Sequence, residues 1–263
     1  MPFSQARLDF DPSRDGFAFP NSFRWTEPDL VYLHRMLRPV AGPGVAALPA
    51  VGGAVSGGWR GLAAGTAVGA GLAWAGLAPA LVRASAQRWP SFGLCGGMAL
   101  AAAERWPRRA GLPTAELQAD RLRPLLWRRQ ADTLRAAAPT FLRYWLSARL
   151  GRARFGDALL SEWTTIRGQI DAGRPVVLGL VGDAPDPFAQ HQVLAFGYAG
   201  TDTRGTLSVY DPNSPGVELE IAFTVADGRA RITTDLPTGP TRSGGYHIST
   251  RPGRLDMVFA VDV

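Results

Sequence analysis

The chain has 263 residues, 46% of them hydrophobic and including 12 Phe and 8 Trp, enough to bury the core of one large domain with an appendage. Its formal net charge is +6 and it contains no lysine, but the arginines are scattered rather than interleaved with aromatics, which argues against specific nucleic-acid binding. A single cysteine excludes an intramolecular disulfide and any multi-cysteine metal site, and His34, His191 and His247 do not stand at metal-ligand spacing from acidic residues, so no metal or other cofactor is expected.

Residues 1–38 carry Pro2, Pro12, Pro20 and Pro28 among aromatic side chains, which predicts a looping arm that packs its rings on the body. The first residues mix Arg with Asp and lack an apolar run after a basic start, so a secretory signal is not expected and the predicted location is cytoplasmic. Residues 39–83 form an apolar Gly/Ala-rich insert with Arg60 near its middle. The two uncharged stretches on either side of Arg60 have the length of membrane spans. Their composition, with Pro43, Pro49 and Pro79 inside, fits a soluble helical hairpin nearly as well, so membrane contact through 39–82 and a soluble insert both stand.

Residues 84–263 read as one domain. Gly96–Trp106 is a good helix-forming stretch, Thr114 looks like the cap of a further helix, and Leu122–Leu150 carries apolar residues at helical intervals with a break near Pro139. Asp157–Ala172 is an amphipathic helix closed by Gly173. Beyond it the texture changes to strands: PVVLGLVG, HQVLAFGYAG, TLSVYDP, VELEIAFTV and MVFAVDV, joined by short polar turns. The expectation is an α+β fold, a helical first half packed on an antiparallel sheet.

Cys95 stands in GLCGGM, where a turn-rich segment meets a helix. A thiol at a helix N-terminus feels the positive end of the dipole, and Gly93, Gly96 and Gly97 leave room for a substrate backbone. His191 opens a strand and is expected at a sheet edge facing a cleft. Twenty residues on, Asp211 lies in VYDPNSPG at the end of the next strand, so a hairpin returns Asp211 or Asn213 to the neighbourhood of His191. A thiol, an imidazole that takes its proton, and a carboxylate that orients the ring make a nucleophilic set.

GLCGGM, HQVLAFGY and VYDPNSPG in that order resemble the papain-like superfamily and, within it, the bacteriocin-processing peptidases. The chain also looks like a group of bacterial proteins that pair an aromatic NSF segment, here Asn21-Ser22-Phe23, with the Cys-Gly-Gly-Met and His-Gln-Val-Leu elements. The resemblance covers 90–263 and, loosely, 16–25. It implies a papain-like fold with Cys95 as nucleophile, His191 as general base and acid, and Asp211 as the orienting acid.

One position departs from the pattern: the glutamine six residues before the cysteine is here Trp89. The oxyanion donor then has to come from Gln87, from Ser91 or from the backbone N–H of Cys95, with Asn213 the alternative orienting group. The expected activity is hydrolysis of a peptide or amide through a Cys95 thioester. Acyl transfer or deamidation by the same residues, and a catalytically silent binding module linked to a membrane, are the alternatives. Oligomeric state has no sequence signal.

Overall fold

The computed structural model describes residues 2–37, 91–108, 119–151, 154–184, 190–238, 248–249 and 251–263. The chain divides into two compact units, one made of the residues up to Asn21 together with Leu94–Val263, the other of Ser22–Gly93. The whole of the Gly/Ala-rich insert, residues 39–83, and the proposed helix start at Thr114 lie outside the described residues.

In the smaller unit, β2 (Phe23–Arg24) pairs antiparallel with β3 (Ser91–Phe92), and Trp25 stacks on Phe92 at 4.1 Å. Helix α2 (Glu27–Leu37) follows, its first turn held by Asp29, whose carboxylate accepts from the Thr26 N–H at 2.8 Å and the Thr26 hydroxyl at 2.6 Å.

The larger unit is α+β. Its sheet is antiparallel throughout, in the order β10-β4-β5-β6-β7-β8-β9, with β1 (Ser4–Arg7) added to the far half of β5. The strands are β4 (Val176–Val181), β5 (His191–Gly200), β6 (Arg204–Tyr210), β7 (Glu218–Ala226), β8 (Arg229–Thr234), β9 (Arg254–Leu255) and β10 (Met257–Ala260). Only Asp256 separates β9, at one end of this order, from β10 at the other, so the sheet curls until its first and last strands adjoin.

Strands β4 and β5 are apolar without alternation and are buried along nearly their whole length, the pattern of strands covered on both faces. Helix α3 (Cys95–Arg105) packs against them, and the long α4 (Ala119–Arg149) packs on α3. Helix α5 (Gly156–Asp171) buries Leu159, Trp163, Ile166 and Ile170, spaced four, three and four apart so that they share one face. Trp163 meets Tyr198 and Phe223 edge-on at 5.5 and 4.9 Å and donates its indole N–H to the Thr201 carbonyl at 3.0 Å. Each large apolar side chain so removed from water contributes about 1.5–3 kcal/mol.

The first part of the N-terminal arm, up to Asn21, joins this body through main chain as well as rings. β1 pairs with Gly197–Gly200 of β5, and Phe10 lies 5.1 Å from the Phe196 ring and 5.9 Å from Tyr210. A short helix α1 (Pro12–Asp15), capped by Asp11 through Ser13 N–H, turns the chain toward Tyr210, whose hydroxyl accepts the Phe17 N–H at 3.0 Å.

Two expectations are corrected. Helix α4 does not break near Pro139 but continues through both Pro124 and Pro139. Proline inside a helix costs about 3 kcal/mol. Here Trp127, Ala131 and Ala137 before Pro139 and Tyr144 and Trp145 after it are all buried, and that burial on both sides outweighs the lost hydrogen bond. The sheet also holds more strands than the five runs suggest, since β1, β8 and β9 are short or largely polar. No helix among the described residues is long and apolar enough to cross a membrane.

Candidate active site

Each of the three side chains marked by the sequence sits where a regular element begins or ends. Cys95 is the first residue of α3, His191 the first of β5, and Asp211 follows the last residue of β6. His191 is not at a sheet edge, as its place at the opening of a strand that follows the loop DAPDPFAQ suggested. Strand β5 lies between β4 and β6, with His191 opposite Leu180, so the imidazole stands at the end of an interior strand and is 4% exposed. The apolar run of β4 supplies the neighbour that covers it.

The hairpin from β5 to β6 returns Asp211 to the ring, and its Oδ1 lies 2.6 Å from His191 Nε2. The local sequence Asp-Pro-Asn-Ser makes the turn that holds the carboxylate there. Asp211 O accepts the Ser214 N–H at 2.9 Å, with Pro212 in the second position of the turn, and Asp211 Oδ1 accepts the Asn213 N–H at 2.8 Å. The oxygen that faces the imidazole is thus itself fixed by backbone two residues on. Asp211 is fully buried and Cys95 is 6% exposed.

Cys95 acts electrostatically on the same ring. Burial alone disfavours the charged imidazole, but the negative charge of Asp211 and its hydrogen bond to the ring, together with the charge of Cys95, act the other way and prevail, so His191 is pushed up to about 10. Nε2 is taken by Asp211, which leaves Nδ1 as the nitrogen available to sulfur. An imidazole flanked by a carboxylate and a sulfur is able to take a proton from the thiol and, as the imidazolium so formed, return it to another group.

Asn213 also lies against the ring, its Nδ2 3.2 Å from His191 Nε2. The direction of its amide is set elsewhere. The Leu94 N–H donates to Asn21 Oδ1, which leaves Asn21 Nδ2 to donate to Asn213 Oδ1 at 3.2 Å. The Asn213 oxygen therefore faces Asn21 and its NH2 faces the histidine. A donor there cannot accept the ring N–H, so of the two residues considered as orienting groups Asp211 fills that position and Asn213 does not.

The glycines after Cys95 serve the helix rather than an incoming chain. A Cβ on Gly96 would stand 1.7 Å from Gln192 Oε1 and 2.3 Å from Thr133 Oγ1, and one on Gly97 would stand 2.2 Å from the Leu126 carbonyl oxygen. The space that the sequence suggested for substrate backbone is occupied by α4 and Gln192, which lets α3 press against both. Gln130 Oε1 accepts the Gly97 N–H at 2.9 Å, and Met98 N–H goes to Leu94 O. The N–H groups of Cys95 and Gly96 are the first-turn donors that no described residue takes up.

Of the oxyanion candidates, Gln87 lies outside the described residues, and Ser91 belongs to the smaller unit, in β3 opposite Arg24. Asn21, Gln130 and Gln192 are contributors that local sequence reading does not reveal, because their partners are 33 to 192 residues away or become visible only as the space a glycine leaves. Among the described residues no three His, Cys, Asp or Glu side chains are grouped to hold a metal ion. Comparison with protein-family models, with curated proteins and with solved structures finds no match.

Proposed function

We propose that the chain is a papain-like cysteine hydrolase that cleaves a peptide or amide bond through an acyl thioester on Cys95. The observation that carries this reading is one buried imidazole held by Asp211 on Nε2 at 2.6 Å and coupled to the Cys95 thiol. His191 takes the thiol proton, and the sulfur adds to the substrate carbonyl carbon. The tetrahedral oxyanion is met by the Cys95 N–H, one of the two first-turn donors that no described residue takes up. When the C–N bond breaks, His191 delivers the proton to the departing amine. Water then adds to the thioester with His191 as base, releasing the carboxylic acid and restoring the thiol.

The order Cys, His, Asp along the chain, the thiol at the start of a helix, and the histidine and aspartate on neighbouring antiparallel strands support the papain-like assignment. The sole cysteine makes the test direct. Iodoacetamide labels Cys95 faster in the native chain than in the denatured chain at neutral pH, and His191→Ala removes the difference. Equal native and denatured rates overturn the proposal. An electrophilic peptide probe that labels the native chain but not Cys95→Ser then reports acyl-enzyme chemistry.

A further inference from the structure

Asn21 engages three groups in the two places that must be held together for a thiol to meet an imidazole. Its N–H donates to Pro212 O at 2.9 Å, its Nδ2 donates to Asn213 Oδ1 at 3.2 Å, and its Oδ1 accepts from the Leu94 N–H. The residue is 4% exposed. Leu94 is the cap of α3, immediately before Cys95, and has no side-chain cap hydrogen bond. The entry of the thiol-bearing helix is therefore tied by an amide from 73 residues earlier in the chain. Pro212 and Asn213 belong to the turn whose Asp211 holds His191. One side chain thus bridges the start of the helix to the turn behind the ring.

We propose that Asn21 is a positioning residue, which fixes the Cys95 helix start against the Asp211-Asn213 turn and so sets the reach between the thiol and His191. The proposal rests on the reading of Cys95 and His191 as a reacting pair. The chemistry of the bridge asks for a carboxamide. It needs an acceptor toward Leu94 and a donor toward Asn213, and Asp supplies only the first. Ala supplies neither. Asn21 also decides which way the Asn213 amide points, so losing it frees Asn213 to turn its oxygen toward His191 Nε2 and compete with Asp211 for the ring proton.

The test uses the full chain and needs no substrate. The rate of Cys95 alkylation by iodoacetamide is followed from pH 5 to 10 in the wild type, Asn21→Ala, Asn21→Asp and Asn213→Ala, with thermal unfolding of each recorded alongside. The expected result is that Asn21→Ala reacts about tenfold more slowly at neutral pH, with the gap to the wild type narrowing as pH rises. Asn21→Asp falls between it and the wild type because the Leu94 bond survives. The double variant Asn21→Ala/Asn213→Ala is no slower than Asn21→Ala, since both substitutions cut the same bridge.

An Asn21→Ala chain that melts earlier but keeps the wild-type profile overturns the positioning role and leaves Asn21 a fold contact. Where Asn21→Ala does not fold, Asn213→Ala carries the test, because it leaves the Leu94 bond intact. An unchanged profile in that folded variant overturns the proposal. A wild-type chain that reacts no faster than the denatured one overturns the thiol reading and this proposal with it. A fast wild type matched by both variants overturns the positioning role alone.

Discussion

His191 Nε2 and Asp211 Oδ1 stand 2.6 Å apart, and the same aspartate oxygen also accepts the Asn213 N–H, so the carboxylate faces the ring in one orientation only. A carboxylate held in that way does two things. It fixes which ring nitrogen carries the proton, and it stabilises the imidazolium that forms when the thiol is deprotonated.

Asp211→Asn tests the first of these. The amide keeps the shape but removes the charge, and an amide that turns its NH2 toward Nε2 favours the tautomer with its proton on Nδ1, where it blocks proton transfer from sulfur. Alkylation of Cys95 at neutral pH is expected to fall by about tenfold or more, and turnover of any substrate by on the order of a hundredfold or more. Because Oδ1 accepts two hydrogen bonds in a fully buried place, the variant also loses about 1–3 kcal/mol in urea unfolding.

The charge on His191 makes a prediction about pH. The folded ring is pushed up to about 10 from an ordinary 6.5, against its burial, by Asp211 and Cys95. Between those values the folded chain holds a proton that the unfolded chain has released. The associated stability is therefore fully present below about 6.5 and is lost as pH rises through about 10. Urea midpoints measured from pH 6.5 upward should decline, and the His191 ring resonances should titrate far above the usual histidine range. In Cys95→Ala one of the raising charges is gone, so both the decline and the titration move to lower pH. A ring that titrates near 6.5 in the native wild type contradicts the buried assembly described here.

Gly96 and Gly97 offer a ranking that depends on packing alone. A Cβ at Gly97 meets the Leu126 carbonyl oxygen at 2.2 Å and the Gln130 N at 3.1 Å, both backbone of α4, so α3 and α4 have to separate. A Cβ at Gly96 meets Gln192 Oε1 and Thr133 Oγ1, which are side-chain ends able to rotate. Both alanine variants destabilise, Gly97→Ala by about 3 kcal/mol and Gly96→Ala by less. Gln192→Ala in the Gly96→Ala background should restore part of the loss, whereas no single truncation rescues Gly97→Ala. Urea unfolding of the four chains checks the order.

Where the sequence spoke clearly, it spoke through local chemistry. The Asp-Pro-Asn-Ser turn, the apolar strands on either side of it and the helix-forming run after Cys95 are all short-range patterns, and from them the approach of Asp211 to His191 and the place of Cys95 follow. The position of β5 inside the sheet depends on β4, and that pairing is non-local, so an interior histidine read as an edge one. Strand β8, Arg-Ala-Arg-Ile-Thr-Thr, buries only Ile232 and so carries almost no apolar signal. Pro139 read as a helix break because the burial that overrides it comes from residues on other elements. The two glycines read as room for substrate because a missing side chain does not say what fills the space. The sequence marks Asn21 only as the first residue of the NSF segment, and its worth lies in contacts with residues 94 and 213 that no spacing announces.

Tyr210 tests whether the N-terminal arm supports the site through the residue next to Asp211. Its phenol accepts the Phe17 N–H at 3.0 Å, and its ring lies against Phe10 while remaining fully buried. Burial also pushes the phenol well above its ordinary range, so it stays a neutral acceptor at every pH the protein meets. Tyr210→Phe keeps the ring packing and leaves the Phe17 N–H buried without an acceptor, at an expected cost of about 1–3 kcal/mol in urea unfolding. Phe10→Ala removes the ring contact instead and should cost about 3–5 kcal/mol. The two changes act on one contact between the arm and the start of the Asp211 turn, so their costs are expected to be less than additive. If the arm braces the turn, Tyr210→Phe also slows Cys95 alkylation at neutral pH, although the phenol touches neither Cys95 nor His191. An unchanged alkylation rate in a destabilised Tyr210→Phe chain would mean that the turn holds Asp211 without help from the arm.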